Sequence, residues 1–87
     1  MISNKLLKFG SKFSDRLDAS LIDGAMNYIS HGENRLAFEI MCDNLCEYEI
    51  RIRREEYEEA IELGSQLGVD TNTPPFRYLR DLLLIKN

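Results

Sequence analysis

The residues that could do chemistry in this chain are mostly carboxylates. Glu39, Asp43 and Glu47 recur at i, i+4 and i+8, and Glu55, Glu58, Glu59 and Glu62 crowd a second short stretch. Two carboxylates can serve as general acid and base, but only in a cleft that drives their pKa values apart. At helical spacing they instead line one face, where like charges four residues apart repel by roughly 0.2–0.5 kcal/mol per pair. No lysine lies among Glu39, Asp43 and Glu47, so the row is expected to lack partners on its own helix and to suit a partner on another molecule. The second cluster has a simpler explanation. Glu55, Glu56, Glu58 and Glu59 stand near a helix N-terminus, where the macrodipole favours acids at about 0.3–1 kcal/mol each.

The remaining reactive residues are Cys42, Cys46 and His31. The two cysteines fall on one helix, where a disulfide is strained, and they read as small buried or half-buried thiols. Two thiols and one distant histidine do not complete the four-ligand set a metal needs, so no metal and no cofactor is expected. His31 stands beside Gly32 as a turn residue or cap. With no glycine-rich phosphate loop and no Cys–His arrangement, the chain is not expected to be an enzyme.

The elements that must carry these residues follow from apolar spacing. Ile2, Leu6, Phe9 and Phe13 give a first short helix, with Lys5, Lys8 and Lys12 opposite and a possible break at Gly10. Asp18 or Ser20 can cap the next helix, and the spacing of Ser20 to Asp23 favours Ser20. Ile22, Ala25, Met26 and Ile29 form that helix, ending near Ser30 with Gly32 as a left-handed exit. Residues 32–48 form the third and central helix, with Ala37, Met41 and Tyr48, flanked by Phe38, Ile40 and Leu45, on its core side. A Ser30–Glu33 capping box would start it slightly earlier.

The alternating EIRIR segment reads as an extended connector whose Ile50 and Ile52 plug the core. A fourth helix follows, with Tyr57, Ala60, Ile61, Gly64 and Leu67 on one face and Gly68 as its stop. After a polar turn at 70–73, Thr73 is the expected cap and Pro74 the first position of a fifth helix. Phe76, Leu79, Leu82 and Leu83 would be its apolar side, with Arg77, Arg80 and Asp81 outward. The fold class is therefore all-α, a small bundle of about five short helices in one domain spanning residues 1–87.

The chain has 87 residues and a formal net charge of −4, with 44% hydrophobic and 30% charged residues. That is enough apolar content for one core. Residues 33–62 hold ten acids against four arginines, a net −6, and the rest of the chain is +2. Such a field repels phosphate backbones and steers cationic proteins inward. Nucleic-acid binding is thus disfavoured, since the only basic cluster, residues 51–54, is short and hemmed by acids. No apolar run approaches the ~18 residues of a membrane span, and lysines interrupt the N-terminal hydrophobics. No membrane partner and a cytoplasmic location are expected.

The central run carries a resemblance. His31, Gly32, Glu33, the LAFE of residues 36–39, Leu45, Glu47, Ile52, Glu56 and Tyr57 resemble the MafI family of bacterial immunity proteins, themselves similar to immunity proteins of contact-dependent growth-inhibition systems. The likeness covers about residues 21–69, and the flanks match in type only. It implies a small helical protein that binds and neutralises the toxic domain of a cognate polymorphic toxin, often a nuclease with a basic cleft. A serine or threonine is usual in that family where Arg53 stands, as a cap for the fourth helix. On this reading Glu39, Asp43 and Glu47, with Glu55, Glu58, Glu59 and Glu62, supply the partner-binding surface. The competing class is a helical adaptor or regulator that docks another protein with no toxin involved.

Overall fold

The computed structural model describes residues 1–70, 72, 74 and 76–84. Five α-helices follow in order: α1 (Ile2–Ser11), α2 (Ala19–Met26), α3 (Asn34–Glu47), α4 (Arg54–Gln66) and α5 (Phe76–Leu79). Short 3-10 segments extend α2 over Asn27–His31 and α5 over Arg80–Leu82. The described residues form no strand, and the class is the all-α bundle that the apolar spacing predicts.

The core is organised by four aromatic rings. Phe13, Phe9, Phe38 and Phe76 follow one another with centroid separations of 5.2, 5.8 and 5.2 Å, linking α1 to α3 and α3 to α5. All four are buried, each contributing on the order of 2 kcal/mol by leaving water. Leu6, Met41, Leu45, Ile52, Leu63 and Leu79 fill the space around them. α3 packs on α2, α1 and α5, and α4 packs on α1.

Local chemistry sets the boundaries. Asp18, not Ser20, is the N-cap of α2, and its Oδ1 accepts both the backbone N–H and the hydroxyl of Ser20, each at 2.9 Å. The helix begins one residue before Ser20, so only a carboxylate outside it can reach the free amide. The expected Ser30–Glu33 capping box does not form. Ser30 donates to Asn27 O, and Glu33 is the N-cap of α3 with no side-chain bond. Gly10 does not break α1: it is buried, and a Cβ there would come within 2.9 Å of Met26 Sδ, so its absence lets α2 approach. Gly32 and Gly68 both adopt the left-handed φ of 75° assigned to them.

Three apolar assignments shift. In α3 the buried set is Ala37, Phe38, Met41, Cys42 and Leu45, whereas Tyr48 lies beyond the helix end and is 55% exposed. In α4 the face is rotated toward Leu63, leaving Tyr57, Ile61 and Leu67 half-buried. The fifth helix is shorter than its pattern: Pro74 lies in a turn, α5 starts at Phe76, and the expected cap Thr73 lies outside the described residues. Ile52 plugs the core as anticipated and also pairs across to the C-terminal segment. Its N–H donates to Leu82 O at 3.0 Å, and Leu84 N–H donates to Ile52 O at 2.8 Å, a single parallel bridge.

Candidate functional site

The outer side of α3 carries Glu39, Asp43 and Glu47 along one line, because the inner side is taken by Phe38, Met41, Cys42 and Leu45. Asp43 and Glu47 are exposed, and neither has an ion-pair partner among the described residues. Glu39 departs from the expectation of a row without partners on its own helix. Arg35, one turn earlier, brings Nε to 3.6 Å of Glu39 Oε2. This long, exposed i,i+4 pair is worth about 0.3–0.5 kcal/mol.

Asp43 sits between the other two carboxylates along the helix. Partial burial and then the charges of Glu39 and Glu47 push its carboxyl above the ordinary aspartate value. No acid of α4 figures among those charges.

The α4 acids form a separate group. Glu55, Glu58 and Glu62 are exposed. Glu59 is half-buried and held at 2.7 Å by Nζ of Lys12, the residue that follows α1. One acid on this helix escapes the sequence pattern altogether. Glu56 is only 4% exposed, and its carboxylate receives Arg16 in a bidentate grip, Nη1–Oε1 2.8 Å and Nη2–Oε2 2.7 Å. Glu56 Oε1 also accepts the Arg53 N–H at 2.8 Å.

That last bond replaces the missing cap. Arginine has no acceptor, so Arg53 cannot fill the serine or threonine role, and Glu56 supplies the other half of a capping box from the third helical position. Burial opposes ionisation of Glu56, but the Arg16 and Arg53 hydrogen bonds outweigh it and hold the carboxyl below its ordinary value. The hydrogen bond to Glu56 first, and then that to Asp15, raise Arg16 above its usual range against the opposing effect of burial. The spacing from Arg53 to Glu56 could have exposed half of this arrangement. Arg16 lies forty residues away and leaves no periodic signal.

The cysteines sit as anticipated, Cys42 buried and Cys46 half-buried, and they form no disulfide with each other. Burial, then nearby thiol and carboxylate charges, pushes Cys42 well up, and burial followed by Asp43 and Asp81 raises Cys46. This is the opposite of the environment that makes a nucleophilic thiolate. His31 is exposed in the turn, with Nδ1 3.1 Å from Asn27 O. Among the described residues, no group of three or more His, Cys, Asp or Glu could hold a metal ion, and no helix is long and apolar enough to cross a membrane.

No protein-family model, curated protein or solved structure matches the chain. The residues that carry the resemblance to immunity proteins divide by what they do here. Gly32 makes the left-handed turn, Ala37, Phe38, Leu45 and Ile52 are core, and Glu56 is tied to Arg16. Folding accounts for these. Of the rest, Leu36, which is 37% exposed, Glu39 and Glu47 lie on the outer side of α3, His31 and Glu33 are exposed just before it, and Tyr57 is half-buried on α4.

Proposed function

We propose that this chain is an immunity-type protein that binds and neutralises the toxic domain of a cognate bacterial polymorphic toxin, with no catalytic step of its own. The toxic domain expected is a basic one, a nuclease whose cleft is shaped for a phosphate backbone. The observation that carries this reading is the outer ridge of α3. Glu39, Asp43 and Glu47 share one line, and Asp43 and Glu47 have no ion-pair partner among the described residues. The Asp43 carboxyl is pushed up first by partial burial and then by repulsion from Glu39 and Glu47. Cations docked against the ridge relieve that repulsion, so binding gains from a cost already present in the free protein. Glu55, Glu58 and Glu62 extend the negative field that steers a basic partner in, while Glu59 is already engaged by Lys12.

The test is co-expression with the adjacent open reading frame, scored by co-purification and by rescue of growth. Rescue by the native chain is expected. The variant Glu39→Lys, Asp43→Lys, Glu47→Lys should weaken toxin affinity by at least a hundredfold, about 2.7 kcal/mol, mainly by slowing association at low salt. Unchanged affinity would remove the ridge from the interface.

A further inference from the structure

A groove of about 330 Å³ lies where the start of α2 meets the end of α3, walled by Leu17, Leu21, Ile50 and the exposed ring of Tyr48. Arg16 and Asp18 form its polar rim. Its volume is at the small end for ligand sites, room for one large apolar side chain. Tyr48 stands there because α3 ends at Glu47 and Glu49 takes a left-handed turn with φ 51°, leaving the ring beside the chain reversal instead of in the core.

The rim fixes the charge of the occupant. Arg16 is the cation at the groove, and all five of its N–H groups are spent: Nε on Asp15, Nη1 on Glu56 and the Arg51 carbonyl, Nη2 on Glu56 and the Lys12 carbonyl. It has nothing left for an anion. Asp18 is exposed, with Oδ1 occupied by Ser20 and Oδ2 without a partner among the described residues. Tyr48 is flanked in sequence by the exposed Glu47 and Glu49.

We infer that this groove is an anchor site for a cationic protein segment that inserts one leucine- or phenylalanine-sized side chain against Tyr48 while its lysines or arginines meet Asp18, Glu47 and Glu49. Apolar anchors ringed by complementary charge are where interfaces concentrate their binding energy, and tyrosine is enriched among them. Glu47 ends the α3 ridge and immediately precedes Tyr48 in the chain, so a partner lying along the ridge reaches the groove at its C-terminal end. The inference rests on the proposed function only for the identity of the natural partner.

The full chain, ¹⁵N-labelled, is titrated with acetyl-Lys-Lys-Leu-Lys-Lys-amide, with the same peptide carrying serine for leucine, and with acetyl-Glu-Glu-Leu-Glu-Glu-amide. The cationic leucine peptide should give saturable shifts at Leu17, Leu21, Tyr48 and Ile50 in the millimolar range. The serine peptide should bind at least fivefold more weakly, and the glutamate peptide should leave these amides unmoved. Asp18→Asn retains the helix cap but removes the charge, and it and Tyr48→Ala should each weaken binding at least threefold. Equal binding of serine and leucine peptides, binding of the glutamate peptide, or shifts confined to another surface would each overturn the inference. With the toxin in hand, Tyr48→Ala should cost at least tenfold in affinity. Undiminished binding overturns the anchor and leaves the proposed function standing, whereas failure of the native chain to rescue growth overturns the proposed function and leaves the peptide result intact.

Discussion

α3 and α4 are of nearly equal length, 14 and 13 residues, and both are rich in acids, yet they use them in opposite ways. On α4 the carboxylates of Glu56 and Glu59 are met by cations from the first part of the chain, Arg16 and Lys12. On α3 the only cation is Arg35 of the same helix, at 3.6 Å from Glu39, and Asp43 is left in the field of its like-charged neighbours. An acidic helix is therefore not a binding surface by composition alone. What separates fold from function is whether another element brings a cation to the carboxylate.

The comparison breaks first at Glu56. Glu56→Gln or Arg16→Ala strands a buried charge, and breaking such a pair costs about 3 kcal/mol or more, a fall in Tm of roughly 12 °C or more for a domain of this size. The pH dependence carries the sign. With its folded carboxyl below the ordinary value of 4.5, Glu56 contributes stability that is complete above that value and is lost as pH falls through the folded pKa. Glu56→Gln should flatten that acid limb in a pH series of thermal melts. A variant as stable as the native chain, with the limb intact, would mean that the grip contributes nothing to folding.

The helix ends sharpen the same contrast more gently. Both close with the same pair of backbone bonds, Ile50 N to Leu45 O and Glu49 N to Cys46 O after α3, Val69 N to Gly64 O and Gly68 N to Ser65 O after α4. The left-handed residue is glycine at 68 but glutamate at 49. Glu49→Gly should therefore stabilise the fold by up to about 1 kcal/mol, read as a higher denaturation midpoint at unchanged slope, while Gly68→Ala should do the reverse.

The smallest expected effect is at Asp43. Its carboxyl is raised above the ordinary value, so ionisation costs the folded state stability as pH rises through that interval. Asp43→Asn should stabilise the protein at neutral pH by a few tenths of a kcal/mol, with the gain vanishing in acid. A loss instead would show that Asp43 has a favourable role within the fold.

The helices and two of their exits were legible because periodicity and glycine report on local backbone. Ile2, Leu6, Phe9 and Phe13 marked a stripe of which the last three are buried, and Gly32 and Gly68 marked left-handed turns. Contacts between distant parts were not legible. The acids of α4 looked alike in sequence, and only folding brings Arg16 to Glu56 and Lys12 to Glu59. Tyr48 has helical spacing with Met41, but the chain turns one residue too early to bury it. The exchange of Ser20 for Asp18 as cap is a one-residue boundary effect. Of the candidate surface, the row on α3 could be read directly, whereas the groove at Tyr48 depends on a turn geometry that glutamate at position 49 does not announce.

Arg16 joins three pieces of chain with one planar group: the carbonyl of Lys12 after α1, that of Arg51 in the connector, and Glu56 at the start of α4. Because each bond holds the guanidinium in place for the others, fluctuations that free α4 must also loosen the end of α1 and the connector. These segments breathe together as one cooperative unit. The ridge of α3, anchored instead by its aromatic packing, can stay rigid through such an opening and present the same charges throughout.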